Sequence, residues 1–336
     1  MRIVAAVLLL SCTPALAQSR GRPANFKVPA EQRKELLGGI EQQLRDHYIF
    51  PERLEAAVPQ LRARWATLEK DDAHALTDQI NADLRDVFHD GHLFLRLAAA
   101  LPPGFDDADD KPDLVLDAFH RRMNQGVVKA EVLPGNIGVL EIIAFPLGGP
   151  RAYAAALAFL KDTDALIIDL RQNGGGDGEA VADLVGYFLD KKTLLQWDIE
   201  RGGTKHEHFS AEKVAGPRYG ETRPVYVLTS KRTFSAAEEC AYDLQTQKRA
   251  QVVGEATGGG ANHNRFFRIA RDFALSVPYM TTKNAVTGKN WEGGGVQPDV
   301  ATKADDAFKS AYRMAVEKEL AAETDPRRRE LLENLR

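Results

Sequence analysis

A serine stands where an apolar strand gives way to a helix. Val225-Tyr226-Val227-Leu228 runs through Thr229-Ser230-Lys231-Arg232-Thr233-Phe234 to Ser235, and Ala236-Ala237-Glu238-Glu239 reads as a helix start. At such a corner the hydroxyl is lifted clear of the sheet. The unpaired N–H groups of the new helix can stabilise an anion beside it, which is the geometry that acyl transfer needs. The same residues also spell a capping box, Ser235 with Glu238 three positions on, so locally a nucleophile and a helix cap are both open. Glu238 and Glu239, in the first turn, complement the helix dipole.

Other residues offer chemistry. His92 follows Phe88-His89-Asp90-Gly91, where a helical pattern stops, and precedes the alternation Leu93, Leu95, Leu97, so it sits at a corner from which a side chain can reach a cleft. Glycine triplets stand at 174–176, 258–260 and 293–295. The first, in Asp169-Leu170-Arg171-Gln172-Asn173-Gly174-Gly175-Gly176-Asp177, joins a buried strand to a helix. It has neither the Gly-Lys-Ser/Thr of a P-loop nor the dinucleotide spacing, which argues against nucleotide. It could instead aim N–H groups at an oxyanion, with Asp169 and Arg171 holding the turn. His206-Glu207-His208 offers two alternating ligands without a third at known spacing, which is no zinc signature. Asp106-Asp107-Ala108-Asp109-Asp110 has the charge of a calcium loop without its Gly and terminal Glu. No metal or other cofactor is expected.

The elements that must position these groups fall into two regions. From 29 to 88 the apolar spacing is helical, with Leu36, Leu37, Ile40 and Leu44 on one face and Leu76, Ile80, Leu84 and Val87 on another. We divide the chain into a helical N-terminal domain (26–97), a connecting segment (98–135) and an α/β core (136–336). Strands are expected at 127–133, 137–143, 165–170, 225–228 and 251–254, the central ones nearly unbroken apolar runs of the kind covered on both faces. Helices are expected at 152–160, 180–189, 305–320 and 326–335, and a hairpin at 266–269 and 273–279.

Composition adds limits. The chain is 44% hydrophobic and 27% charged with a net charge of -4, ordinary globular material without the basic footprint of a nucleic-acid binder. Met1-Arg2 and the short apolar run after them, with Ala15-Leu16-Ala17, read as a secretory signal cleaved after Ala17, hence a periplasmic or secreted protein. A lipoprotein signal through Cys12 is the alternative. No later run is apolar for long enough to span a bilayer. After that cleavage Cys240 is the single cysteine, so no intrachain disulfide can form.

Four blocks in one order carry a family resemblance: Asp-x-Arg-x-Asn-Gly-Gly-Gly from Asp169, Thr-Ser-x-x-Thr-x-Ser-Ala-Ala-Glu from Thr229, Gly-Glu-x-Thr-x-Gly from Gly254, and Gly-Val-x-Pro-Asp from Gly295. From 136 to 300 the chain resembles the C-terminal-processing (tail-specific) serine peptidases. The resemblance implies a crotonase-like (ClpP-like) β/α core and a peptide or unfolded-protein substrate. In one branch a lysine after the third block is the base and a PDZ module precedes the core. Here Gly260 stands in the lysine's place and the chain between Leu97 and Ile137 is too short for a PDZ domain. The other branch resembles the tricorn protease core and interphotoreceptor retinoid-binding protein domains. It implies His92 as base and Glu292 as the group that orients it, beside Ser235 as nucleophile. Gly91 stands where tricorn-type sites have a further serine. For the oxyanion hole the expected donors are the backbone N–H groups of Gly174 or Gly175 and of Ala236, and His263 is the reserve base. The rival implication is a binding protein for apolar ligands on the same fold. Oligomeric state is not legible.

Overall fold

Strands without a polar face need cover on both sides, and the protein supplies it. The computed structural model describes residues 23–101 and 120–336. Its first sheet has the order β11-β8-β7-β4-β3-β2, from β2 (Val127–Leu133), β3 (Ile137–Ile142), β4 (Ala165–Asp169), β7 (Val225–Thr229), β8 (Gln251–Gly254) and β11 (Val300–Ala301). All neighbours are parallel except β2 against β3. On one face lie α4 (Gly149–Leu160), α5 (Gly178–Gly186) and α6 (Ala236–Thr246), which share a core with Leu140, Ile168 and Val227. On the other lies α7 (Ala304–Ala322), with α8 (Pro326–Glu333) beside it. Ala307, Ala311 and Ala315 form its buried stripe, and their small side chains let the helix approach the strands closely.

The second sheet is antiparallel and was legible only in part. The long strand β10 (Phe273–Asn284) pairs with β9 (Asn262–Ile269) along its length. It also pairs with β1 (Phe94–Leu97) through Phe273 to Ser276 and with β5 (Leu194–Glu200) through Met280 to Asn284, while β6 (Lys205–Phe209) follows β5. The expected hairpin exists and is longer than expected. Strands β5 and β6 carry no clean apolar alternation; β6, Lys-His-Glu-His-Phe, has no fully buried residue and owes its conformation to pairing.

The N-terminal helices α1 (Ala30–His47), α2 (Pro51–Trp65) and α3 (Ala73–Phe88) form where the spacing places them, but they do not form a separate domain. Leu36, Ile40, Leu44, Leu76, Ile80 and Leu84 share one core with Phe273, Leu275 and Val277 of β10, and β1 is hydrogen-bonded to that strand. The boundary expected at 97 therefore cuts through a core, and the one at 135 cuts off β2. The acidic run 106–110 and the signal segment 1–17 lie outside the described residues. Among the described residues no helix is long and apolar enough to cross a membrane.

The shared core has a measurable consequence. Phe273 is fully buried in it, so Phe273→Ala lowers stability by about 3–5 kcal/mol. In hydrogen exchange α1–α3 lose protection together with β9 and β10; helices that unfold separately from the hairpin would contradict this architecture.

Candidate active site

Strand β7 ends at Thr229 and the chain is turned back onto the β4 loop before α6 begins. Ser230 Oγ donates to the Arg171 carbonyl at 2.6 Å, Thr233 Oγ1 donates to that of Leu170 at 2.9 Å, and the Phe234 N–H donates to that of Asn173 at 3.1 Å. Arg171 is itself clamped by Asp169 and reaches the Ala304 carbonyl at 2.7 Å, the structural role expected of that pair. So held, Ser235 takes φ 55° and ψ -125°. This backbone region is sparsely populated by residues with a side chain and costs about 1–3 kcal/mol. A strained turn between strand and helix is what presents a hydroxyl at the top of a sheet. Gly175 comes so close that a Cβ there would lie 2.8 Å from Ser235 Cβ, so the first glycine triplet is needed for contact with the serine.

His92, the expected base, arrives from the other core. Helix α3 ends at His89 in the left-handed conformation, and Asp90 then fixes the turn, its Oδ1 accepting the His92 N–H at 3.0 Å and its Oδ2 accepting Asn262 Nδ2 at 3.0 Å. The His92 carbonyl accepts Ser276 Oγ at 2.6 Å, which ties it to β10. The ring is buried, stacks obliquely on Phe234 with centroids 4.7 Å apart, and places Nε2 3.0 Å from Ser235 Oγ. Burial, with His263 nearby as a second cause, pushes the imidazole down to about 4, so it is neutral at neutral pH.

Gly260 explains the loss of the lysine. A Cβ there would lie 2.2 Å from Phe234 Cζ and 2.7 Å from His92 Cε1. The histidine ring and its aromatic support occupy the space, so any side chain at 260 would displace them. Gly91 is small for a related reason, since a Cβ there would meet Phe234 Cζ at 3.0 Å.

Glu292 is partly buried next to these groups. Its Oε2 accepts the Ala261 N–H at 2.6 Å, while Oε1 is buried without a hydrogen bond, as is His92 Nδ1. No hydrogen bond joins the two residues, but ligand atoms of Asp90, His92 and Glu292 lie within 4.8 Å of one another. Burial first, then the charge of Asp90, pushes the Glu292 carboxyl up to about 7. These three donors are also the set that could approach a cation. Asp90, however, already accepts hydrogen bonds from His92, Asn262 and Tyr48, and a cation there would have to compete with them.

Of the expected oxyanion donors, Ala236 lies at the first position of α6, where its N–H has no intrahelical acceptor. Gly175, beside Ser235, donates its N–H to Asn173 Oδ1 at 2.9 Å. His263, the reserve base, is engaged by Asp198 at 3.2 Å. His206 and His208 do not converge: the first pairs with Glu200 at 2.8 Å, the second faces Glu239 and Glu179. Cys240 is buried in α6, and burial raises its thiol well above the ordinary value.

Glu238 does more than complement a dipole. Its carboxylate is fully buried and accepts the N–H groups of Ser235 (2.9 Å), Gly259 (2.6 Å) and Gly260 (2.8 Å) and a short bond from Thr257 Oγ1. The capping-box spacing pointed to the first of these bonds only. Asp90 and Phe234 were likewise unassigned, although the Asp-Gly-His turn marked the place of Asp90.

Comparison with known proteins bears on the family and the fold. Residues 136–302 match peptidase family S41. A carboxyl-terminal-processing protease of Synechocystis sp. is 32% identical over 147 residues, 43% of this chain and 33% of that protein. Carboxy-terminal processing protease CtpB of Bacillus subtilis is 28% identical over 178 residues, 52% of this chain and 35% of that protein. The chain thus spans about a third of the length of these relatives. A putative peptidase from Parabacteroides merdae superposes with a TM-score of 0.57 at 19% identity, over 82% of this chain and 92% of that one. The photosystem II D1 C-terminal processing protease gives 0.52 at 17% identity, over 83% and 94%. Tricorn protease gives 0.52 at 13%, over 82% and 35%. These structures share the crotonase-like fold. Residues 136–302 thus match peptidase family S41, and the relatives that the chain resembles are carboxyl-terminal-processing proteases.

Proposed function

We propose that this chain is an exported serine peptidase that hydrolyses bonds in a peptide or unfolded protein through an acyl-enzyme, with Ser235 as nucleophile, His92 as base and Glu292 as its orienting group. The observation that carries the reading is the 3.0 Å contact between His92 Nε2 and Ser235 Oγ at a strained turn. The histidine comes from outside the matched segment 136–302, so the contact is independent of the family match. Export rests on the signal-like residues 1–17 alone.

The steps follow from proton positions. Neutral His92 takes the hydroxyl proton at Nε2 as Ser235 Oγ bonds to the carbonyl carbon. The oxygen then becomes an anion within reach of the Ala236 N–H. The imidazolium next gives its proton to the leaving amine as the C–N bond breaks, and the same ring activates water against the acyl-enzyme. Nδ1 carries a proton throughout. Ionised Glu292 stabilises the imidazolium and fixes the tautomer once the ring and Oε1 close their remaining gap. Storage of an apolar ligand on this fold is the rival. Against it, the pocket beside Ser235 is lined by the polar side chains of Glu239, Asn262, His263 and Asn264, a poor match for an apolar ligand.

Ser235→Ala lowers turnover of a peptide substrate by on the order of 10⁴-fold or more with the fold intact by circular dichroism; near-normal turnover sinks the assignment. The charge states set a pH profile. His92, held near 4, is neutral over the whole neutral range, whereas Glu292, held near 7, must lose its proton to stabilise the imidazolium. Accordingly kcat/KM rises as pH climbs through about 7. Glu292→Gln removes that limb and lowers turnover by on the order of 10²–10⁴-fold. A limb near 7 that survives in Glu292→Gln assigns it to another group.

A further inference from the structure

Strand β2 closes one side of the parallel sheet. Its inner edge pairs with β3, and among the described residues no strand pairs with its outer edge. An open edge carries unpaired N–H and C=O groups and is a template for a further strand, which sheets commonly prevent with very short edge strands or proline. Strand β2 has neither: it runs for 7 residues, Val-Val-Lys-Ala-Glu-Val-Leu, without proline. Its ladder with β3 is regular from Lys129 to Leu133, after a bulge at Val128.

Both faces of the strand carry surface that another strand could use. Ala130 and Val132 lie opposite Leu140 and Gly138, on the face that α4 covers, and yet they are exposed, Val132 at 43%. Val128, at the bulge, is 40% exposed. Helix α4 packs against β2, and just past its end the Asp162 carbonyl accepts Asn136 Nδ2 at 2.8 Å in the β2–β3 turn. Phe159, in the last turn of α4, is 61% exposed and adds apolar surface at the Val132 end. On the opposite face Lys129 Nζ and Glu131 Oε2 are 2.6 Å apart, each side chain 44% exposed.

Charge decides which strand fits. Lys129 and Glu131 flank Ala130, so an antiparallel copy of β2 centred on Ala130 sets each lysine opposite the other copy's glutamate. The two ion pairs then close into a ring of alternating sign, and Val128 meets Val132 at either end. Centring on 129 or 131 would set like charges against each other. Centring between two residues would oppose side chains of different faces, because one step of register swaps the faces.

We propose that β2 is an interaction surface for a second copy of this chain, the two β2 strands pairing antiparallel about a two-fold axis at Ala130 so that two parallel sheets join into one. The interface is isologous, the same residues serving on both sides. The axis is perpendicular to the sheet, so α4 of both copies lies on one face of the joined sheet. No residue assigned to the candidate active site lies on β2, which makes this pairing independent of the peptidase reading.

Sedimentation velocity of the full chain over a concentration series tests it, with two charge variants. Wild-type protein should dimerise. Lys129→Glu leaves two acids on the strand and Glu131→Lys two bases, so each variant alone should dimerise with a Kd raised roughly tenfold or more. An equimolar mixture of the two should regain the wild-type affinity as a heterodimer, because every cross-strand pair is again opposite in sign. The axis has its own readout, which stands even where a charge variant fails to fold. Paired Cα atoms of antiparallel strands lie about 4.5–5.5 Å apart, within the range of a disulfide, so Ala130→Cys should cross-link to itself under mild oxidation. Val128→Cys, whose opposite residue is Val132, should not, and Cys240 is buried and does not compete. A wild-type chain that stays monomeric at every concentration overturns the proposal. So does a dimer indifferent to both charge variants, a mixture that associates no more tightly than either variant alone, or a cross-link that forms through position 128 and not through 130.

Discussion

The carboxylate of Glu238 joins the two backbone segments between which the candidate chemistry lies. It takes the N–H of Ser235 on one side and those of Gly259 and Gly260 on the other, with Thr257 Oγ1 as a fourth donor. Burial raises its pKa while the four donors oppose that shift, so the hydrogen bonds are what keep a buried charge tolerable. From Gly260 the constraint spreads. Its carbonyl accepts Trp291 Nε1 at 2.8 Å, its lack of a side chain leaves room for the His92 ring, and the next N–H, of Ala261, holds Glu292. Ser235, His92 and Glu292 are thus all referred to one buried acid.

The second constraint is that His92 belongs to a different core from Ser235. Ser235 sits above the parallel sheet, while His92 leaves the end of α3 and enters β1 in the antiparallel sheet. Their 3.0 Å contact holds only while the helices, β1 and β10 stay fixed against the parallel core. This gives the fused N-terminal helices a purpose. A loosely tethered helical domain would let the histidine drift, and a drift of about 1 Å can cost on the order of 10²-fold in rate.

What the sequence disclosed follows the physics of each element. Uninterrupted apolar strands such as Ala165–Asp169 and Val225–Thr229 were legible because burial on both faces dictates composition. Strand β6 was not, because its residues do not need burial and its pairing partner is remote in sequence. At the site, Ser235 and His92 were legible as corners, and Glu292 through the family pattern. The reach of Glu238 to Gly259 and Gly260 spans some twenty residues and depends on how two loops fold together, which no local spacing records. The claim of Asn173 on the Gly175 N–H is by contrast local, an asparagine turn two residues long within one loop.

The central claim, that Ser235 is an activated hydroxyl served by His92, is most directly tested by peptide mapping after reaction with a fluorophosphonate at neutral pH, comparing wild-type protein with His92→Ala. The account predicts a stoichiometric adduct on Ser235 in wild type and its loss in His92→Ala. An unmodified Ser235 in folded wild-type protein, or labelling that proceeds as fast without the imidazole, would contradict it.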